Sequence, residues 1–276
     1  MTSRMTVLVD NIAQAGLKQE HGLAILIEHQ GKRILFDNGQ GDALFYNAQK
    51  LNIDLNNLDI IILSHGHYDH GGNLDTLLMN NANALFYAHP DCMQRRYSLH
   101  PNKAPRTISL TEKVTQAIKA FPEQQKRFIT QATQLTAGLW LTGEIPRLSK
   151  LEDTGGPFFL DIEKKQADLL NDDMSLWIET DNGLAVICGC CHSGMINTLN
   201  HIKQQTGQST NITTLLGGLH LVSANQQRLN ATINYLNKEN IKRIYPAHCT
   251  GNDAMSLLQA QCKNVGIAKA GLTITV

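Results

Sequence analysis

Residues 58–70 read LDIIILSHGHYDH, an almost unbroken apolar run that ends in three histidines and an aspartate. A run of this kind is what a strand covered on both faces looks like. It belongs in a layered α/β protein, where a second sheet or a set of helices shields each face. His65, His67, Asp69 and His70 follow within six residues, just past the end of that strand, where α/β scaffolds place their sites. Imidazoles at i and i+2 in extended chain point the same way, so His65 and His67 can grip one ion. Asp69 and His70, at the turn into a helix, can grip a second. Gly66, Gly71 and Gly72 let the backbone fold tightly around them. Imidazole nitrogens with one carboxylate suit zinc first, with iron or manganese as alternatives. The plainer reading is a polar loop with incidental histidines, and the register of the four residues argues against it.

The rest of the chain is consistent with such a scaffold. TVLVDN, LAILIEHQ and RILFDNG read as strands. A helical pattern spans 41–51, a helix is expected near 73–80, and LFYAH is a strand. The last third alternates again: SLWIET, GLAVICGCCHSG, a helix at 194–204, NITTLLGGLH, a helix at 226–238, RIYPAH, a helix at 252–261 and a closing strand. Two sheets sandwiched between helices, as one domain over 1–276, is the expected architecture. Residues 91–172 differ. They are more polar, are broken by Pro101, Pro105, Pro122, Pro146 and Pro157, and are expected to form an insertion or lid; ordinary surface loops are the alternative.

Charge narrows the function. Lys plus Arg and Asp plus Glu each number 24, so the basic surplus of a nucleic-acid binder is missing. No run approaches the roughly 18 apolar residues of a membrane span, and MTSRMTVLVDN lacks the apolar stretch of a signal peptide. Cys92, Cys188, Cys190, Cys191, Cys249 and Cys262 show no framework spacing, which suits a reducing compartment. The expectation is a cytoplasmic protein with a small-molecule substrate, no nucleic-acid partner and no membrane. Neither a G-x-S-x-G nucleophile elbow nor a G-x-x-x-x-G-K-[ST] phosphate loop occurs.

SHGHYDHGG matches the H-x-H-x-D-H signature of the metallo-β-lactamase-fold superfamily, which this chain resembles. GLAILIEHQGKRILFDNGQ, LSHGHYDHGGNL, YAHPD, TGEIPR, GCCHSG, GGLHL and PAHCTG, in that order, resemble the subgroup named for dihydropterin ribofuranosylaminobenzene 5′-phosphate synthase. The resemblance implies an αββα sandwich, a two-metal site and a pterin-like or phosphorylated substrate. It implies a buried carboxylate at Asp37 that orients a ligand imidazole, where a simple turn aspartate is the alternative. It also implies that His248 completes the second metal, and that Asp69 is both ligand and catalytic carboxylate.

One position departs from the superfamily. Where its members carry Gly-Asp, with the aspartate bridging the metals, this chain has Gly189-Cys190. Cys190 is either a thiolate ligand or a buried thiol. His192, two residues on, is chosen as a further ligand, since the superfamily's usual histidine between the metal loop and this strand has no clear counterpart. Cys191 is assigned to the core. His89 and His220 follow strands and are expected to contact substrate. Glu144 and Arg147 of TGEIPR are expected to do the same, Arg147 through a phosphate or carboxylate, with a local salt bridge as the alternative. His21, His29, His100 and His201 are left as surface or structural residues.

The function expected is that of a metal-dependent enzyme: a hydrolase of a phosphoester, lactone or related bond, or a transferase that displaces pyrophosphate. A mononuclear iron oxygenase acting on a persulfide is the first alternative, since the bridging aspartate is lost. A non-catalytic ligand-binding member of the fold is the second.

Overall fold

The computed structural model describes residues 2–207 and 209–276. The described residues form two large sheets, one small sheet and seven α-helices. The first large sheet runs in the order β16 (Thr273–Thr275), β1 (Arg4–Val9), β2 (Ala24–His29), β3 (Lys32–Phe36), β4 (Ile60–Ile62), β5 (Leu85–Ala88) and β8 (Lys126–Phe128). The second runs β15 (Arg243–Ala247), β14 (Ile212–Gly218), β13 (Gly183–Cys188), β12 (Ser175–Thr180), β10 (Leu139–Leu141) and β9 (Thr133–Thr136). The small sheet joins β11 (Phe158–Phe159), β6 (Tyr97–Ser98) and β7 (Arg106–Thr107).

Side-chain alternation sorts the apolar residues into three layers. Ile60 and Ile62 face the second sheet, in a core shared with Leu176, Ile178, Ile187 and Leu216. Ile61 faces the other way, towards α1 (Ala43–Lys50), α3 (Leu74–Asn80) and α4 (Glu112–Ala120), packing with Leu44, Leu77 and Ile118. The three isoleucines are 4 %, 0 % and 0 % exposed, so each contributes roughly 1.5–3 kcal/mol of burial. That division is why the run reads as continuously apolar. β13 divides likewise: Ala185 and Ile187 turn inward, while Leu184 and Val186 meet α5 (Met195–Thr206), α6 (Gln226–Glu239) and α7 (Asn252–Gln261). The result is the αββα sandwich expected. No helix among the described residues is long and apolar enough to cross a membrane.

The stretch 91–172 is not the single insertion expected. Its middle belongs to the sandwich: α4 packs on α3, β8 pairs with β5, and β9 and β10 extend the second sheet. β8 and β9 read as polar because they lie at sheet edges, where only part of each strand is covered; β8, for example, leaves Arg127 and Phe128 exposed. The small sheet is what stands apart.

Parallel pairing directs the site. β3, β4 and β5 run parallel, as do β13, β14 and β15. Their carboxyl ends therefore deliver Asp37, the 64–70 loop, Cys190, His220 and His248 to one edge of the sandwich. Met174 N–H donates to Ser64 O at 3.0 Å, which ties the second sheet's lead-in to that loop.

Candidate metal centre

His67 is extended (φ −92°, ψ 146°) and precedes the short helix α2 (Tyr68–Gly71). Gly66 is required at this turn by space rather than by torsion: a Cβ there would lie 1.9 Å from Cys92 O. Gly189 is constrained in the same way, since its Cβ would lie 2.2 Å from Ser64 Oγ. The two loops from opposite sheets thus approach at backbone distance.

The hydrogen bonds on the far side of each imidazole decide which nitrogen faces inward. Ser64 Oγ donates to Asp37 Oδ2 at 2.7 Å, so it can only accept from His65 Nδ1, 2.9 Å away. His65 Nε2 is then a lone pair, and it faces His67 Nδ1 at 3.0 Å. His192 Nδ1 lies 2.8 Å from Thr154 O and must donate to it, which leaves Nε2, buried and without a protein partner, as a lone pair. His70 Nδ1 donates to Asp37 Oδ2 at 2.6 Å. His248 Nδ1 donates to Asn11 Oδ1 at 2.9 Å; Asn11 is oriented by Gly22 N–H, which donates to the same oxygen, and by His248 O, which accepts from Nδ2. His248 Nε2 therefore points at His70 Nε2, 3.2 Å away, and at Asp69 Oδ2, 3.2 Å away.

Cys190 stands between the two groups. Its Sγ is 3.0 Å from His70 Nε2. Its ligand atom lies within 4.8 Å of those of His65 and His192 on one side and of His70 and His248 on the other. Inward-facing imidazole nitrogens gathered around a thiol are an arrangement that a bound cation stabilises. The donor set, all of it buried, fits divalent metal. Cys191 points away into the outer core, its Sγ 3.2 Å from Thr198 Oγ1.

Electrostatics suit cation binding. Burial, reinforced by neighbouring imidazoles, holds His65 and His192 well below the ordinary histidine range, and burial does the same to His67. His248 is pushed down to about 4 and His220 to about 3, chiefly by burial. Burial opposes charge on His70 too, but the Asp37 carboxylate outweighs it and raises His70 to about 9. Burial opposes charge on Asp69, but its contacts with His21 and His248 outweigh it and hold the carboxyl well below the usual carboxylate range. Burial, with Cys249 alongside, pushes the Cys190 thiol well above its ordinary value.

The centre lies at the floor of a cavity of about 390 Å³, lined among others by Asp69, Cys190, His192, His220 and His248. His220 lines this cavity, its ring 4.2 Å from that of His192 and its backbone left-handed at φ 43°. Phe158 from the small sheet packs edge-on to His192 at 5.5 Å.

His89, Glu144 and Arg147 correct their expected substrate roles, for none of them lines this cavity. His89 caps a 3₁₀ turn, accepting from Asp91 N–H and pairing with Glu144 Oε1 at 3.0 Å. Arg147 donates to the carbonyls of His192 and Leu169, each at 2.5 Å. It braces the histidine loop from behind.

Two residues at the cavity escape sequence reasoning. His21, on the loop between β1 and β2, places Nε2 3.1 Å from Asp69 Oδ2. Asn11 fixes His248 across 237 positions. The adjacent pair Glu20-His21 ahead of a strand was the only local signal for His21.

Comparison with known proteins agrees with this fold. Residues 17–189 match the model of the metallo-beta-lactamase superfamily. A protein of Methanocaldococcus jannaschii named 7,8-dihydropterin-6-methyl-4-(beta-D-ribofuranosyl)-aminobenzene-5′-phosphate synthase is 29% identical, over 88% of this chain and 85% of its own. An uncharacterised protein of the same organism is 31% identical over 98% of this chain and 99% of its own. Among solved structures, Tm1679, a metal-dependent hydrolase of the beta-lactamase superfamily, superposes with a TM-score of 0.83 at 27% identity, covering 99% of both chains. Zn(2+)-bound PqqB from Methylobacterium extorquens shares the fold, with a TM-score of 0.58 at 14% identity over 98% of this chain and 99% of that one.

Proposed function

The chain belongs to the metallo-beta-lactamase superfamily, and from that premise we propose that it is a metal-dependent enzyme with a binuclear centre. Its substrate is a small pterin-like or phosphorylated molecule, and its reaction is hydrolysis or a transfer that displaces phosphate. One observation carries this reading: Cys190 lies between two sets of inward-facing imidazole lone pairs at the floor of a cavity. His65, His67 and His192 would hold one ion, Asp69, His70 and His248 the other, and Cys190 both. Zinc suits the thiolate best, with iron or manganese as alternatives. When bound, a pair of divalent cations supplies positive charge that stabilises negative charge developing on oxygen.

The chain's own groups do the rest. Asp37, Ser64, Asn11 and Thr154 O hold each imidazole in the tautomer that faces inward. Asp69, kept ionised and lining the cavity, is the group placed to accept a proton from a nucleophilic water or hydroxyl. Phe158, Ile108, Val222 and Met255 line the cavity with apolar surface, which limits water and suits a planar heterocycle. The volume falls within the roughly 300–1,000 Å³ of small-ligand sites. The name of the 29% identical relative supports the pterin-type assignment.

Metal analysis of protein purified without chelator tests the reading, joined to a screen of phosphoesters and reduced pterins before and after metal removal. About two equivalents of metal, with turnover that chelation abolishes and re-addition restores, is the expected result. A single iron would move the assignment to oxidative chemistry, and protein with no specifically bound metal would end it.

A further inference from the structure

Nothing in the metal centre uses Arg106. It is exposed on β7, and among the described residues that line the cavity it is the sole lysine or arginine. Among the described residues no carboxylate pairs with it, whereas the buried Arg96 pairs with Asp168 and Asp172 and the buried Arg228 with Asp153. Its partner is Tyr68: Nη2 donates to Tyr68 Oη, and the guanidinium lies over the tyrosine ring, 5.1 Å from the centroid. Stacking and one hydrogen bond fix the plane of the guanidinium and leave most of its N–H fork unused. Ser98, opposite Arg106 across the β6–β7 pair, lines the same cavity.

The position of this cation relative to the reacting groups is set by backbone. Tyr68 N–H donates to Ile108 O at 3.1 Å, and His67 forms an antiparallel bridge with Ser109. The chain leaving β7 is thereby fastened to the metal loop itself. Arg106 lies two residues before Ile108, about 7 Å back along extended chain. Between the two ends the wall is Ile108 and Phe158, apolar surface beside which a charge–charge contact is screened less than in open water.

We infer that Arg106, held by Tyr68, is the anion-binding end of the substrate pocket. The substrate is a small molecule with an apolar or planar body that carries a phosphate or carboxylate apart from the group that reacts beside Asp69 and Cys190. The inference rests on the reading that chemistry occurs at the histidine–cysteine centre. It adds that a second anionic group, remote from the reacting bond, is recognised by the protein rather than by metal.

Calorimetric titration of metal-free protein with phenyl phosphate, benzoate and benzyl alcohol tests it, using wild type, Arg106→Ala and Arg106→Lys. Removing the metals eliminates their own attraction for anions, and the histidine–cysteine centre is common to all three proteins. The expected result is binding of at least one anion but not of the alcohol, weakened about tenfold or more in Arg106→Ala and less in Arg106→Lys. The tighter of the two anions identifies phosphate or carboxylate as the group recognised. Equal affinity in Arg106→Ala, binding of the neutral alcohol as tight as that of the anions, or no anion binding by wild type would each overturn it. Metal content is measured on the same preparations before stripping. A wild type without metal removes the binuclear reading and leaves the anion comparison legible, whereas loss of metal in Arg106→Ala alone would make the residue structural and overturn the assignment.

Discussion

Asp37 Oδ2 accepts the Nδ1 proton of His70 at 2.6 Å, with both side chains wholly buried. The same oxygen accepts from Ser64 Oγ, which in turn takes the Nδ1 proton of His65. One carboxylate therefore orients an imidazole in each half of the centre. Asp37→Asn should weaken both equivalents of metal by about 10- to 100-fold, read by competition with a chromophoric chelator. Unchanged affinity for either equivalent would show that the carboxylate does not govern that half.

Metal loading should release protons. His70, raised to about 9 by Asp37 against the opposing effect of burial, is charged at neutral pH in the metal-free protein, and Cys190 is a thiol. Both must lose a proton to bind a cation. Because the folded pKa of His70 lies above its unfolded value, its pairing stabilises the metal-free fold fully below about 6.5. That contribution is lost as pH rises through about 9. Metal affinity runs the opposite way and should strengthen as pH climbs towards 9. Calorimetry at pH 7.5 in two buffers of different ionisation enthalpy should show about two protons released, falling by about one in Cys190→Ala.

Cys190→Asp should change which metal is preferred rather than abolish loading. A carboxylate at the shared position favours harder ions such as manganese, and a thiolate favours zinc. Competitive loading from an equimolar zinc and manganese mixture reads the difference. An unaltered ratio would indicate that Cys190 is a bystander.

His21→Ala should weaken the metal equivalent held by Asp69 and His248 about tenfold and leave the other unchanged, since His21 meets Asp69 and His248 and both belong to that half. Equal weakening of both equivalents would assign His21 to the loop's fold rather than to Asp69.

Gly66→Ala should cost about 1–3 kcal/mol or more, because the new Cβ would meet Cys92 O at 1.9 Å. Urea denaturation of the metal-free protein measures this apart from any effect on loading.

The layers of the fold were legible because alternation is a local signal: Ile60, Ile61 and Ile62 announce a strand covered on both faces wherever it lies in the chain. The 64–70 loop was legible for the same reason. What sequence could not supply were contacts between distant segments. Asn11 meets His248 and His21 meets Asp69 only because the fold brings the β1–β2 loop to the edge where the loops after β4 and β15 emerge. Arg147 misled for the same cause. An arginine beside a carboxylate in a loop suggests a ligand pair, yet its partners are the backbone carbonyls of His192 and Leu169, which no side-chain pattern encodes. Arg106 drew no attention because the residues that give it meaning, Tyr68 and Ser98, come from other segments of the chain.

The donors of this centre come from both sheets: His65 to His70 follow β4, while Cys190, His192 and His248 follow β13 and β15. Bound ions would therefore rivet the two halves of the sandwich together at one edge, much as a disulfide staples a small fold. Chelation should then part the halves from that edge first. Amide exchange would rise along the ends of β4 and β13 before it rises in the shared core behind them, and each metal equivalent would add to thermal stability by mass action.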